Sequence, residues 1–141
     1  MANPKTILCI SDTQVFLNLF RSHFGGQGHE VLTVSTGKSA LELTEGKRVD
    51  AVVLDYQLPG MLGAAAFQVV KRVAQGVPVL MLSGPRAVIP RDVRNAATVI
   101  LRKGMRVSEL ILWVDRILEP YIGQNLHRRG SIASATKHLC L

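Results

Sequence analysis

Four apolar runs in this 141-residue sequence end on residues able to do chemistry. TILCI (6–10) leads into Ser11 and Asp12, and AVVLD (51–55) closes on Asp55. VPVLML (77–82) leads into Ser83, and TVILR (98–102) into Lys103. Two aspartates with a main-chain carbonyl, such as that of Gln57 just past Asp55, make an oxygen-donor set suited to a hard cation like Mg²⁺. A lysine and a hydroxyl beside them would suit a phosphoryl group. The chemistry needs one scaffold that brings these four run-ends together.

That scaffold is written in the hydrophobic pattern. TILCI, EVLTV (30–34), AVVLD, VPVLML and TVILR are short, rich in β-branched residues and bounded by turn formers, so they read as strands. Three are apolar almost throughout, as expected of parallel strands covered on both faces. Between them lie segments of helical period: QVFLNLFRSHF (14–24), KSALELTEG (38–46), GAAAFQVVKRVAQG (63–76) and VSELILWVDRIL (107–118). In the first, Val15, Phe16, Leu19, Phe20 and Phe24 recur at helical spacing. In the last, Ser108 is the expected N-cap and Leu110, Ile111, Val114, Ile117 and Leu118 form the stripe. Trp113 is expected off that stripe, on an exposed face that could serve a homodimer. Pro85 and Pro90 leave room for only a short or irregular fourth helix. The alternation predicts a doubly wound, five-stranded parallel sheet, α/β in class and (βα)5 in order. In such sheets, ligands bind where loops diverge at the carboxyl ends of strands. A buried strand ending on Asp55 is then the floor of a site.

These residues resemble the response-regulator receiver domain, the CheY-like (flavodoxin-like) fold of two-component signalling, over roughly residues 4–118. LDYQLPGMLG resembles the phosphoacceptor motif, with Asp55 as nucleophile and Pro59-Gly60 in the next loop. SD (11–12) falls on the acidic pair, MLSG places Ser83 at the family's Thr or Ser, and LRKG places Lys103 at its lysine. The resemblance implies phosphoryl transfer from a phosphohistidine on a sensor histidine kinase or phosphotransfer protein to Asp55. It implies Mg²⁺ on Asp12, Asp55, the Gln57 carbonyl and, through water, Ser11. No enzymatic turnover beyond self-phosphorylation and self-dephosphorylation is implied.

Four positions depart from the family pattern. Ser11 replaces an acid, which weakens the expected hold on Mg²⁺. Ile100 stands three before the lysine, where a Tyr or Phe normally swings with the hydroxyl. Gly104 follows Lys103 in place of Pro, and Leu62 stands where Asp is common. They raise the alternative of a pseudo-receiver, a protein-interaction module indifferent to phosphate.

Composition narrows the rest. Hydrophobic residues are 48% and charged residues 19%, a globular balance. The longest apolar runs fall well short of the roughly 18 residues that span a bilayer, and no secretory leader is evident. A soluble, cytoplasmic, stand-alone receiver (1–118) with a partly or wholly disordered tail (119–141) is expected, acting on an unknown downstream protein. Cys9 reads as a small buried hydrophobe, and pairing with Cys140 is disfavoured in a reducing compartment. The four histidines are scattered and lack metal-ligand spacing. All of the net charge of +7 falls in residues 51–141, which carry twelve basic residues against five acidic. Nucleic acid is disfavoured, with aromatics at only 5%. A flavodoxin-type cofactor site is disfavoured too, because ISDTQVF lacks the glycines of a phosphate cradle.

Overall fold

The computed structural model describes residues 4–56, 68, 71–72, 76–84 and 88–119, without the side chains of 37, 38 and 92. Its strands are β1 (Thr6–Ile10), β2 (Glu30–Val34), β3 (Ala51–Asp55), β4 (Val79–Ser83) and β5 (Val99–Arg102). Its helices are α1 (Gln14–Gly26), α2 (Gly37–Thr44), α3 (Arg91–Ala96) and α4 (Val107–Leu118). All pairings are parallel, in the order β2-β1-β3-β4-β5, so the strand carrying Asp55 is central. Gln68, Lys71 and Arg72 are helical, but most of the expected helix over 63–76 lies outside the described residues, as do Gln57, Pro59, Gly60, Leu62 and the segment after 119.

The sheet separates two apolar layers by simple alternation. Ile7, Cys9, Ala51, Val53, Leu80, Leu82, Val99 and Leu101 face α1 and α4. Leu8, Ile10, Val52, Leu54, Val79, Met81 and Ile100 face α2 and α3. β3 and β4 are buried at every position, which is why they read as unbroken apolar runs. α2 starts on Thr36, whose hydroxyl accepts a bond from the Ser39 N–H at 3.1 Å. α3 has only six residues, consistent with the limit set by Pro90 at its N-cap.

Three expectations are corrected. On α1 the buried line is Leu17, Phe20 and Phe24, spaced three and four apart, whereas Val15 and Leu19 lie on the other side and are exposed. The N-cap of α4 is Arg106, with no side-chain cap bond, so Ser108 is already inside the helix. Trp113 is buried, three residues after Leu110 and four before Ile117, which places it within the stripe; Leu112 is the exposed apolar residue of that helix.

The amino ends of the strands are fastened by reciprocal bonds. Thr6 N–H donates to Asp50 Oδ2 at 2.8 Å, and Asp50 N–H donates back to the Thr6 carbonyl at 2.8 Å. Val79 N–H donates to Thr98 Oγ1 at 3.0 Å, and Thr98 N–H returns a bond to the Val79 carbonyl at 2.8 Å. Lys5 N–H donates to His29 Nδ1 at 2.9 Å, while Glu30 N–H donates to the Lys5 carbonyl.

Candidate functional site

At the carboxyl edge the main-chain ladders run one residue beyond the strands. Ser11 N–H donates to the Val34 carbonyl at 3.0 Å, Tyr56 N–H to that of Leu82 at 2.9 Å, and Lys103 N–H to that of Ser83 at 2.8 Å. The reactive residues therefore hang from a fixed backbone and not from free loops. Continuing the β1–β3 register one step past Ile10 and Leu54 sets Ser11 beside Asp55. Asp55 pairs with Leu82, and Ser83 pairs with Arg102.

The structure brings Lys103 and Asp55 into contact. Lys103 Nζ lies 2.8 Å from Asp55 Oδ2, although their strands are separated by β4. Both continue the same face of the sheet, beyond Leu101 and Val53, so the long lysine stem can cross the tip of β4. Ser11 and Ser83 are buried on the flanking strand tips, at 2% and 4% exposure. Ser11 Oγ accepts a bond from the Thr13 N–H at 3.2 Å, which orients its hydroxyl within the turn. Asp12 is exposed, and α1 takes Thr13 as its N-cap, so the carboxylate of Asp12 stands outside the helix.

Asp12 and Asp55 are the acids that the described strand tips supply, and no group of three or more His, Cys, Asp or Glu gathers among the described residues. Hard oxygen donors of this kind fit Mg²⁺, with one negative charge fewer than a full acidic pair plus Asp55 would provide. Sequence reasoning missed Cys9 as a neighbour. It lies beneath Asp55, fully buried, and burial first and the Asp55 charge second push its thiol well above the ordinary range. The register placing Cys9 beside Val53 exists only in the folded sheet.

Two departures have structural counterparts. Ile100 pairs with Met81 and is buried in the layer that holds Ile89, Val93 and Ala97. Gly104 takes φ +109°, a conformation that favours glycine, and a Cβ there would meet nothing within 4 Å.

A 2-1-3-4-5 parallel sheet with a lysine-paired acid at the tip of its central strand defines the receiver class of signalling domains. This chain belongs to that family: residues 7–115 match the response regulator receiver domain. It is similar to the transcriptional regulatory protein TcrA of Mycobacterium tuberculosis, with 36% identity over 106 residues that cover 74% of this chain and 42% of TcrA. The match thus spans less than half of that relative. The fold is shared with the receiver domain of the TMAO respiratory system response regulator TorR, at TM-score 0.69 and 24% identity, covering 82% of this chain and 97% of that one. It is shared also with the chemotaxis response regulator CheY4 of Vibrio cholerae, at TM-score 0.66 and 24% identity, covering 82% and 99%. No helix among the described residues is long and apolar enough to cross a membrane.

Proposed function

We propose that this domain accepts a phosphoryl group on Asp55 from a phosphohistidine of a sensor kinase or phosphotransfer protein, and signals onward through protein contacts. The observation that carries the reading is the 2.8 Å Lys103–Asp55 pair at the tip of the central strand. A carboxylate oxygen of Asp55 forms the new bond to phosphorus as the phosphorus–nitrogen bond breaks, and the departing imidazole nitrogen keeps the electron pair. Lys103 moves with the added charge, from carboxylate to phosphoryl oxygen, and offsets it. The Ser83 hydroxyl, on the adjacent strand tip, would donate to another phosphoryl oxygen. Asp12, Asp55, the Gln57 main-chain carbonyl and a Ser11-held water would hold Mg²⁺, whose charge would offset that of the phosphoryl oxygens. The chain's chemistry is thus that of a phosphoacceptor with at most its own phosphorylation and dephosphorylation, not a turnover enzyme.

The test is incubation with a small-molecule phosphodonor and Mg²⁺, read by intact mass. A single phosphate adduct on the wild type, absent from Asp55→Asn, is expected. No adduct, or an equal one on the variant, defeats the reading. The buried Ile100, which offers no ring to rotate, favours the second reading of a module that binds partners without phosphate. The same absence of an adduct would select it.

A further inference from the structure

Asp55 and Lys103 prolong the sheet face that packs on α1 and α4, whereas the layer of Ile89, Val93, Ala97 and Ile100 lies on the opposite face. Side chains alternate along a strand, so the residue after Asp55 projects toward that second layer. It is Tyr56, half-buried, with its ring packed against the layer. Its backbone is fixed, because the Tyr56 N–H donates to the Leu82 carbonyl at 2.9 Å.

Register gives the ring its neighbour. One step past the Asp55–Leu82 pair, Tyr56 comes level with the buried Ser83. Below them on the same face lies the row of Leu54, Met81 and Ile100. The rings of the molecule are unevenly shared between the faces. Phe16, Phe20, Phe24 and Trp113 pack on the α1 and α4 side, and Tyr56 is the one Phe, Tyr or Trp ring among the described residues on the α2 and α3 side. Through its backbone Tyr56 is joined to the reactive acid, and through its ring to the layer under α3.

We propose that Tyr56 is a positioning residue that passes the state of Asp55 across the sheet to the layer under α3. A phosphoryl group adds bulk and charge at Asp55, and the peptide unit shared by residues 55 and 56 cannot shift without carrying the ring. A tyrosine ring moves as a rigid plane about two torsions, so little of that shift is lost within the side chain. A close-packed layer answers by changing its arrangement and not by compressing. The ring makes the contact, so phenylalanine should serve as well, whereas leucine spans less of the layer and leaves the link loose. This role rests on phosphate acceptance by Asp55, and its test reads the adduct and the layer separately.

Wild type, Tyr56→Phe, Tyr56→Leu and Leu41→Ala are each held with and without acetyl phosphate and Mg²⁺, then read by intact mass and by hydrogen exchange of the α3 amides. Leu41 packs on the same layer from α2 and controls for a general loss of packing. Phosphorylation should change α3 exchange by roughly threefold or more in the wild type, Tyr56→Phe and Leu41→Ala, the scale of coupling carried by packed side chains. Tyr56→Leu should take phosphate and show no such change. A wild type that takes phosphate without a change at α3 overturns the role of Tyr56 alone. So does a Tyr56→Leu that takes no phosphate or keeps the wild-type change, and so does loss of the change in Tyr56→Phe or Leu41→Ala. A missing adduct on the wild type overturns phosphate acceptance and this role with it. Far-UV dichroism checks each fold, and Tyr56→Met takes the place of Tyr56→Leu where the leucine variant is unfolded.

Discussion

Lys103 and Asp55 share one ion pair but not one solvent: the lysine side chain is 41% exposed and the aspartate 2%. Removing either partner therefore has unequal consequences. Lys103→Met leaves a buried carboxylate without its cation and should cost about 1–3 kcal/mol, less than for a fully buried pair because water screens the lysine end. Asp55→Asn removes the buried charge, and the lysine can turn to water, so stability should hold or rise by about 1 kcal/mol. Urea unfolding of both variants checks this ordering. A larger loss for Asp55→Asn than for Lys103→Met would refute it.

Gly104 carries a backbone cost and no packing cost. With φ at +109° and open space where a Cβ would stand, Gly104→Ala should lose about 1–2 kcal/mol through conformation alone. Gly104→Pro should lose more, since the ring fixes φ near −65° and forces the Lys103 turn to rearrange. The same unfolding measurement ranks the two. A neutral Gly104→Pro would mean that the turn is far more pliant than its geometry implies.

The last helix separates packing from surface. Trp113 is buried between Leu110, Val114 and Ile117, with the Arg116 guanidinium 5.4 Å from its ring centre. Trp113→Ala should cost about 3–5 kcal/mol. Leu112, 60% exposed one residue earlier, should tolerate Ala within about 0.5 kcal/mol. If α4 forms a homodimer, sedimentation should show Leu112→Ala weakening it while the fold stays intact.

Alkaline pH should expose the buried thiol. The Cys9 pKa is raised in the folded chain, so the native state holds its proton while the unfolded state releases it above about pH 9. Stability is therefore present below that pH and lost as pH rises through it, by up to about 1.4 kcal/mol per unit. In a Cys140→Ser background, unfolding free energies measured across this range should fall more steeply than in the same chain carrying Cys9→Ala. Parallel slopes would count against the effect.

Much of this was legible in the order of residues. β-branched runs ending on Asp55, Ser83 and Lys103 show both strands and site, because burial on both faces removes polar residues until the edge. Trp113 was harder. Its step of about 100° from Val114 suggests a place off the stripe, but its angle to Ile117, about 40° on a helical wheel, puts it inside. Val15 and Leu19 failed for a related reason: apolar residues outnumber the positions α1 can bury, and tertiary contact chooses Leu17, Phe20 and Phe24. The neighbourhood of Cys9 and Asp55 belongs to strand register, a long-range property that local pattern does not encode.

The clasps of Thr6 with Asp50 and of Val79 with Thr98 divide labour along each strand. The side-chain clasps gather at one rim and the reactive residues at the other, some five residues away. Ser11 and Gly104 stand at the reactive rim, away from those clasps. Disturbing a clasp should therefore be felt first as lost stability, and disturbing the opposite rim first as lost chemistry.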